Sequence, residues 1–170
     1  PFELPTAAGY NIPDSVMRLA DLQKGLVLVT GPAGAGKSST LACLIDDINK
    51  HRSGHIITME DPIEYVHSHD KCIVTQREVP TDISTFQEAM RSALRESPDI
   101  MLLGEMRDPE TIATAMTAAE MAQLLFSTLH TTSAANTIDR IIDAFTASQQ
   151  HQIRMQLSMV LQAVVSQQLV

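Results

Sequence analysis

The chain is expected to fold as an α/β protein, a mostly parallel sheet with helices on both faces. Three features of the sequence predict this. Short apolar runs alternate with helical patterns along the chain, which is how parallel strands joined by crossover helices are written. The first of these runs, Leu26 to Thr30, is apolar and β-branched, as a strand buried on both faces must be. It stops at Gly31 and passes into Gly31-Pro32-Ala33-Gly34-Ala35-Gly36-Lys37-Ser38, which fits the G-x-x-x-x-G-K-[ST] phosphate loop. At average residue usage such a match arises by chance in about one chain of this length in a hundred.

Residues 1–25 are read as a linker and a leading helix, and residues 26–170 as the core. Phe2 to Pro5 is an extended, Pro-bounded piece with nothing evident to pack on. Asp14 to Leu22 has helical apolar spacing (Val16, Leu19, Ala20) with Asp14 as a candidate cap. After the phosphate loop, Lys37 to Asn49 reads as a helix. His55 to Met59 reads as a second strand that delivers Glu60, Asp61 and Pro62 at its end. Cys72 to Gln76 is a short edge-like strand, and Ser84 or Thr85 caps a helix through Phe86, Ala89, Met90, Ala93 and Leu94 that ends before Pro98. Ile100 to Leu103 is a buried strand ending at Gly104 and Glu105. Pro109 begins an Ala- and Thr-rich helix through Met121, and Leu124 to Leu129 is the fourth principal strand, ending at His130. From Ser133 onward the chain is expected to be helical with one break near Thr146. The last helix should run apolar (Val164, Val165, Leu169, Val170) to the terminus without a cap, leaving apolar surface exposed. Both ends therefore read as cut from a longer protein.

Composition narrows the function classes. The chain is 44% hydrophobic with a net charge of −8 and no Lys/Arg cluster, which argues against a nucleic-acid surface. Cys43 and Cys72 lack metal-ligand or redox spacing and read as reduced buried thiols of a cytosolic protein. No apolar run approaches the roughly 20 residues that cross a bilayer, so contact with a membrane is expected only through a partner.

In a parallel sheet, ligands sit beyond the carboxyl ends of the strands. The residues at those ends are the phosphate loop, Glu60, Glu105 and His130, so polar chemistry from distant parts of the chain converges on one rim. Such a rim suits ATP hydrolysis. The nucleotide-binding residues are Gly31, Pro32, Ala33, Gly34, Ala35, Gly36, Lys37, Ser38 and Ser39: the glycines let backbone N–H groups turn toward a phosphate chain, and the helix start adds partial positive charge. Lys37, expected in a solvent-facing loop, reaches the β- and γ-phosphates, and the Ser38 hydroxyl ligates Mg²⁺. Glu60 and Glu105 each end an apolar strand, where a carboxylate is costly without work or a partner. Hydrolysis needs one carboxylate to hold Mg²⁺ and another to orient and deprotonate water; Glu105 is read as the metal-side group and Glu60 as the base, with the reverse assignment open. Either is also compatible with a capping or salt-bridging role. His130 either senses the γ-phosphate or is a hydrogen-bonded structural histidine. His67-Ser68-His69-Asp70 has a spacing that resembles a zinc site but lacks further ligands nearby.

At these residues the chain resembles the secretion ATPase superfamily of type II secretion and type IV pili, and most closely its pilus-retraction, twitching-motility branch. Gly31 to Thr40 resembles the family's Walker A motif, Ile56 to Glu64 its Asp box, Asp99 to Asp108 its atypical Walker B, and Ser127 to Arg140 the later half of its His box. In the first half, Glu120-Met121-Ala122-Gln123 stands in place of the family's Thr-Gly-His. The resemblance implies a RecA-like core, truncated here at both ends, that binds ATP and Mg²⁺. It further implies a homohexameric cytoplasmic ring at the inner face of the cell membrane, pulling pilins from the fibre base through an inner-membrane platform protein. The family's PAS-like domain, which supplies arginines to the nucleotide, precedes the core, so this chain alone is expected to hydrolyse ATP slowly and to be mostly monomeric. Arg107 and Arg140 are its remaining candidate charges facing a neighbour. Alternatives are a pilus assembly or type II secretion ATPase, a subunit that binds without turnover, and a RecA-type DNA-handling ATPase, against which the acidic balance weighs.

Overall fold

The structure, a computed structural model, describes residues 2–170. Its elements are α1 (Asp14–Met17), a 3-10 turn (Arg18–Asp21), β1 (Gly25–Thr30), α2 (Lys37–His51), β2 (Gly54–Glu60), β3 (Cys72–Glu78), α3 (Phe86–Arg95), β4 (Ile100–Leu103), α4 (Pro109–Glu120), β5 (Leu124–Leu129), α5 (Ala134–Asp143), α6 (Ala147–Val160) and β6 (Leu161–Ser166). Six strands form one sheet in the order β3-β2-β4-β5-β1-β6, and every neighbouring pair is parallel. This is the α/β architecture expected from the alternation of apolar runs and helices.

Successive residues of β1 point to opposite faces, and both faces are covered, which is why the strand can carry no outward polar position. Leu26 and Leu28 join a core built with residues of α3, α4, α5 and α6, while Val27 and Val29 join a second core built on α2. Phe126 of β5, fully buried, belongs to the second. Helix starts follow the local chemistry: Thr85 accepts from the Glu88 N–H at 3.1 Å, Asp108 from the Thr111 N–H at 2.9 Å with Pro109 behind it, and Ser133 from the Asn136 N–H at 3.1 Å. Thr146 and Gln149 form a capping box at the break before α6.

Three local expectations are corrected. The final helix stops at Val160, and the chain passes directly into β6, which lies parallel to β1 with Val27 opposite Ala163 and Thr30 opposite Ser166. Without β6, β1 would be an open edge with unpaired N–H and C=O groups beside the phosphate loop. Val164 and Val165 pack against opposite cores, so of the four terminal apolar residues expected to be exposed only Leu169 and Val170 are. The leading segment is not idle: the Phe2 N–H donates to the Glu64 carbonyl at 3.0 Å, its ring lies 6.3 Å from that of Tyr65, and the Cys43 thiol donates to the Pro5 carbonyl at 3.4 Å. Asp14 is the first residue of α1 rather than its cap, a position Pro13 takes without a side-chain hydrogen bond.

Candidate nucleotide site

The phosphate loop turns between β1 and α2. Gly36 takes the left-handed conformation (φ +87°) immediately before Lys37, a geometry that a side chain resists. Gly31 is required for a different reason: a Cβ there would lie 2.4 Å from the carbonyl oxygen of Gln167, where the chain leaving β6 crosses the loop. That crossing is fixed by a 2.7 Å hydrogen bond from the Gln167 N–H to the Thr30 carbonyl.

Lys37 does not lie in a solvent-facing loop, as expected, but is the buried first residue of α2. Its ammonium donates to the carbonyls of Gly31 (2.8 Å) and Pro32 (2.9 Å) and stands 3.5 Å from Nδ1 of His130. Burial lowers its pKa, against the opposing pull of Glu105 and Glu64. On the far side of His130, Nε2 is 3.4 Å from Glu105 Oε1, and Glu105 Oε2 is 2.7 Å from the guanidinium of Arg107. Lys37, His130, Glu105 and Arg107 thus form a continuous chain of polar groups. Its base is rigid: Thr128 of β5 donates to the Gly104 carbonyl at 2.5 Å, and Ser127 to the Leu103 carbonyl at 2.7 Å.

Glu60 approaches from β2. Its Oε2 accepts from the Thr58 hydroxyl at 2.7 Å and from the Gln76 amide at 3.2 Å. Burial nevertheless pushes its pKa up, with Glu64 and Glu78 pushing the same way. A carboxylate held above its ordinary range in a cleft is suited to taking a proton.

Ser38 and Ser39 are engaged by the loop after β2. Ser38 donates to Glu64 Oε1 at 2.9 Å, and the Ser39 hydroxyl is 2.8 Å from that of Tyr65. Glu64, Tyr65, Thr58 and Gln76 were not singled out in the sequence as site residues. Only Thr58 and Glu64 carried a signal, as members of the Asp-box segment Ile56 to Glu64. The His67–Asp70 segment serves the backbone: His69 Nδ1 accepts from the Val74 N–H at 2.9 Å, and the His67 N–H donates to Gln76. Gln123 ends the turn before β5 with its side-chain oxygen buried and unpartnered, and Ala122 beside it has φ +66°.

The groups line a cleft of about 480 Å³ that includes Lys37, Ser38, Glu60, Glu64, Glu105 and His130, a size within the roughly 300–1,000 Å³ of small-molecule sites. Gly31, Pro32 and Ala35 do not line it. A second hollow of about 640 Å³ adjoins through Glu105, Arg107 and His130 and holds Arg140, but no phosphate-loop residue lines it.

The residues present fit a phosphate chain and a hard cation. A Cβ at Gly34 would meet nothing within 4 Å, so the loop leaves open space where backbone N–H groups can face an anion. The Ser38 hydroxyl and the Glu64 and Glu105 carboxylates are the oxygen donors that Mg²⁺ prefers. Among the described residues no three His, Cys, Asp or Glu side chains cluster to hold a metal unaided, so phosphate and water oxygens would complete the shell.

The family model for type II/IV secretion system proteins matches residues 10–170. The chain is 54% identical over its whole length to the type IV pilus retractation ATPase PilT of Pseudomonas aeruginosa, covering 49% of that protein, and 52% identical over 97% of its length to a twitching motility protein of Neisseria gonorrhoeae, covering 47%. It therefore spans about half the length of the curated relatives it matches. A crystal structure of the pilus retraction motor PilT with bound ADP superposes with a TM-score of 0.93 at 53% identity, over 96% of this chain and 48% of that one. With the fold, the phosphate loop and a family match across 10–170 in agreement, the chain belongs to the type II/IV secretion system protein family.

Proposed function

We propose that this chain binds Mg-ATP in the cleft and hydrolyses it as the motor core of type IV pilus retraction. The observation that carries the reading is the meeting of Lys37, Ser38, Glu60, Glu105 and His130 on one rim, in a chain 54% identical to a pilus retraction ATPase. Ala33, Gly34 and Gly36 to Ser39 hold the phosphates, Lys37 exchanging two backbone carbonyls for phosphate oxygens. Ser38 and Glu105 would hold Mg²⁺, which would supply neutralisation of charge at the transferred phosphoryl group. Glu60 orients and deprotonates the attacking water, and His130, bridging Lys37 and Glu105, reads the γ-phosphate. The working protein is a homohexameric ring in the cytoplasm, peripheral to the inner face of the membrane, acting on an inner-membrane platform protein. Among the described residues no helix is long and apolar enough to cross a bilayer.

The test is nucleotide-linked stability in the natural full-length protein and its Lys37→Ala variant. Mg-ADP at about 100 times its Kd should stabilise the wild type by about 2.7 kcal/mol. The variant should fold but lose most of that shift together with hydrolysis. Equal shifts in the two proteins would refute the assignment of the loop.

A further inference from the structure

Gln76 stands on β3 directly opposite Thr58 of β2 in the parallel register. Cα partners on neighbouring strands project to the same side, and Glu60, two residues beyond Thr58, projects there too. Three side chains from two strands therefore meet: Thr58 Oγ1 and Gln76 Nε2 both donate to Glu60 Oε2, at 2.7 and 3.2 Å.

The rest of the Gln76 amide is also used. Nε2 donates its other hydrogen to the Tyr65 carbonyl at 2.8 Å, and Oε1 accepts from the His67 N–H at 2.8 Å. The segment gripped in this way is the one that reaches across to α2, where Glu64 accepts from Ser38 and Tyr65 meets Ser39. One amide thus joins the carboxylate of Glu60 to the loop that seats the first turn after Lys37. Only a group with two donors and an acceptor can do this, so neither Glu nor Met at 76 would serve.

We propose that Gln76 is a positioning residue for hydrolysis, holding the Glu60 carboxylate at a fixed place relative to Ser38 and the phosphates. The inference rests on Glu60 being the group that prepares the attacking water. Gln76 itself touches no reacting atom. Its role is expressed through Glu60, whose carboxylate loses its cross-strand donor when the amide is removed and can then swing on its remaining bond to Thr58.

The experiment measures single-turnover hydrolysis and Mg-ATP affinity in the full-length protein for Gln76→Ala, Gln76→Glu, Glu60→Gln and the double variant Glu60→Gln/Gln76→Ala, with unfolding midpoints recorded for each. Displacing a catalytic group by about 1 Å can slow a reaction by about a hundredfold. Both Gln76 variants should therefore lose about tenfold to a hundredfold in rate while binding Mg-ATP as the wild type does. In the Glu60→Gln background, Gln76→Ala should add no further loss, since the two act as a unit. An unchanged rate in Gln76→Ala beside an inactive Glu60→Gln would overturn this inference and leave the reading of Glu60 standing. Full activity in Glu60→Gln would overturn that reading instead. Losses that multiply in the double variant, or a rate loss matched by equal losses of affinity and unfolding midpoint, would show Gln76 to be merely structural and overturn the proposal.

Discussion

Ala122 offers a prediction whose sign separates conformation from packing. It follows the last turn of α4 with φ +66°, the left-handed conformation that commonly closes a helix and usually belongs to glycine. The residue is exposed, so removing its methyl group forfeits little burial. Holding an L-residue in this region costs about 1–2 kcal/mol, whereas glycine loses about 0.5–1 kcal/mol more backbone entropy on folding. Ala122→Gly should therefore stabilise the protein by about 0.5–1 kcal/mol, equivalent to roughly 1–4 °C at this chain length. The assay is urea unfolding with an unchanged m-value, run beside Ala135→Gly, an exposed alanine in α5. In right-handed helix the same substitution should destabilise by about 0.5–1 kcal/mol. Loss of stability at both positions would refute the argument.

Other expectations follow from the site and core. Glu60→Gln should bind Mg-ATP without cleaving it, while Glu105→Gln should also weaken Mg²⁺ dependence; titrations of nucleotide and metal beside turnover check this, and equal loss of binding in both would contradict the division. In the proposed role as base Glu60 must be ionised, and burial raises its pKa, so kcat/KM should fall as pH drops through a value above the ordinary glutamate range. Phe126→Ala, at a fully buried position in β5, should cost about 3–5 kcal/mol in urea unfolding. Burial pushes the Cys43 thiol up to about 11 and also raises that of Cys72, so neither should react with a disulfide reagent at pH 8 until the protein is unfolded.

The strands that lead to Gly31, Glu60, Glu105 and His130 were legible because each is a bounded apolar run that stops at a glycine or a polar residue. β6 was not. Leu161 to Ser166 continues α6 without a Gly, Pro or Asn to mark a boundary, and whether Val164 and Val165 belong to a helix or a strand depends on β1 needing a partner. The site was legible to the same depth. Lys37, Ser38, Glu60 and Glu105 announce themselves by motif and position, but Gln76 and Tyr65 acquire their meaning only through cross-strand register and a loop folding back on α2. The burial of Lys37 was hidden for a similar reason, since the groups around it come from His130, just after β5, and from the loop's own carbonyls.

The placement of β1 between β5 and β6 has a temporal consequence. The hydroxyls of Thr30 and Ser166, 3.0 Å apart at the edge of the phosphate loop, are separated by 136 residues of chain. At a synthesis rate of about 5–20 residues per second, β1 leaves the ribosome roughly 7–27 s before the strand that completes its second side. The loop that gives the chain its ligand is encoded early and braced late, so a nascent polypeptide carries the whole phosphate-loop motif well before it possesses the scaffold that gives that motif its shape.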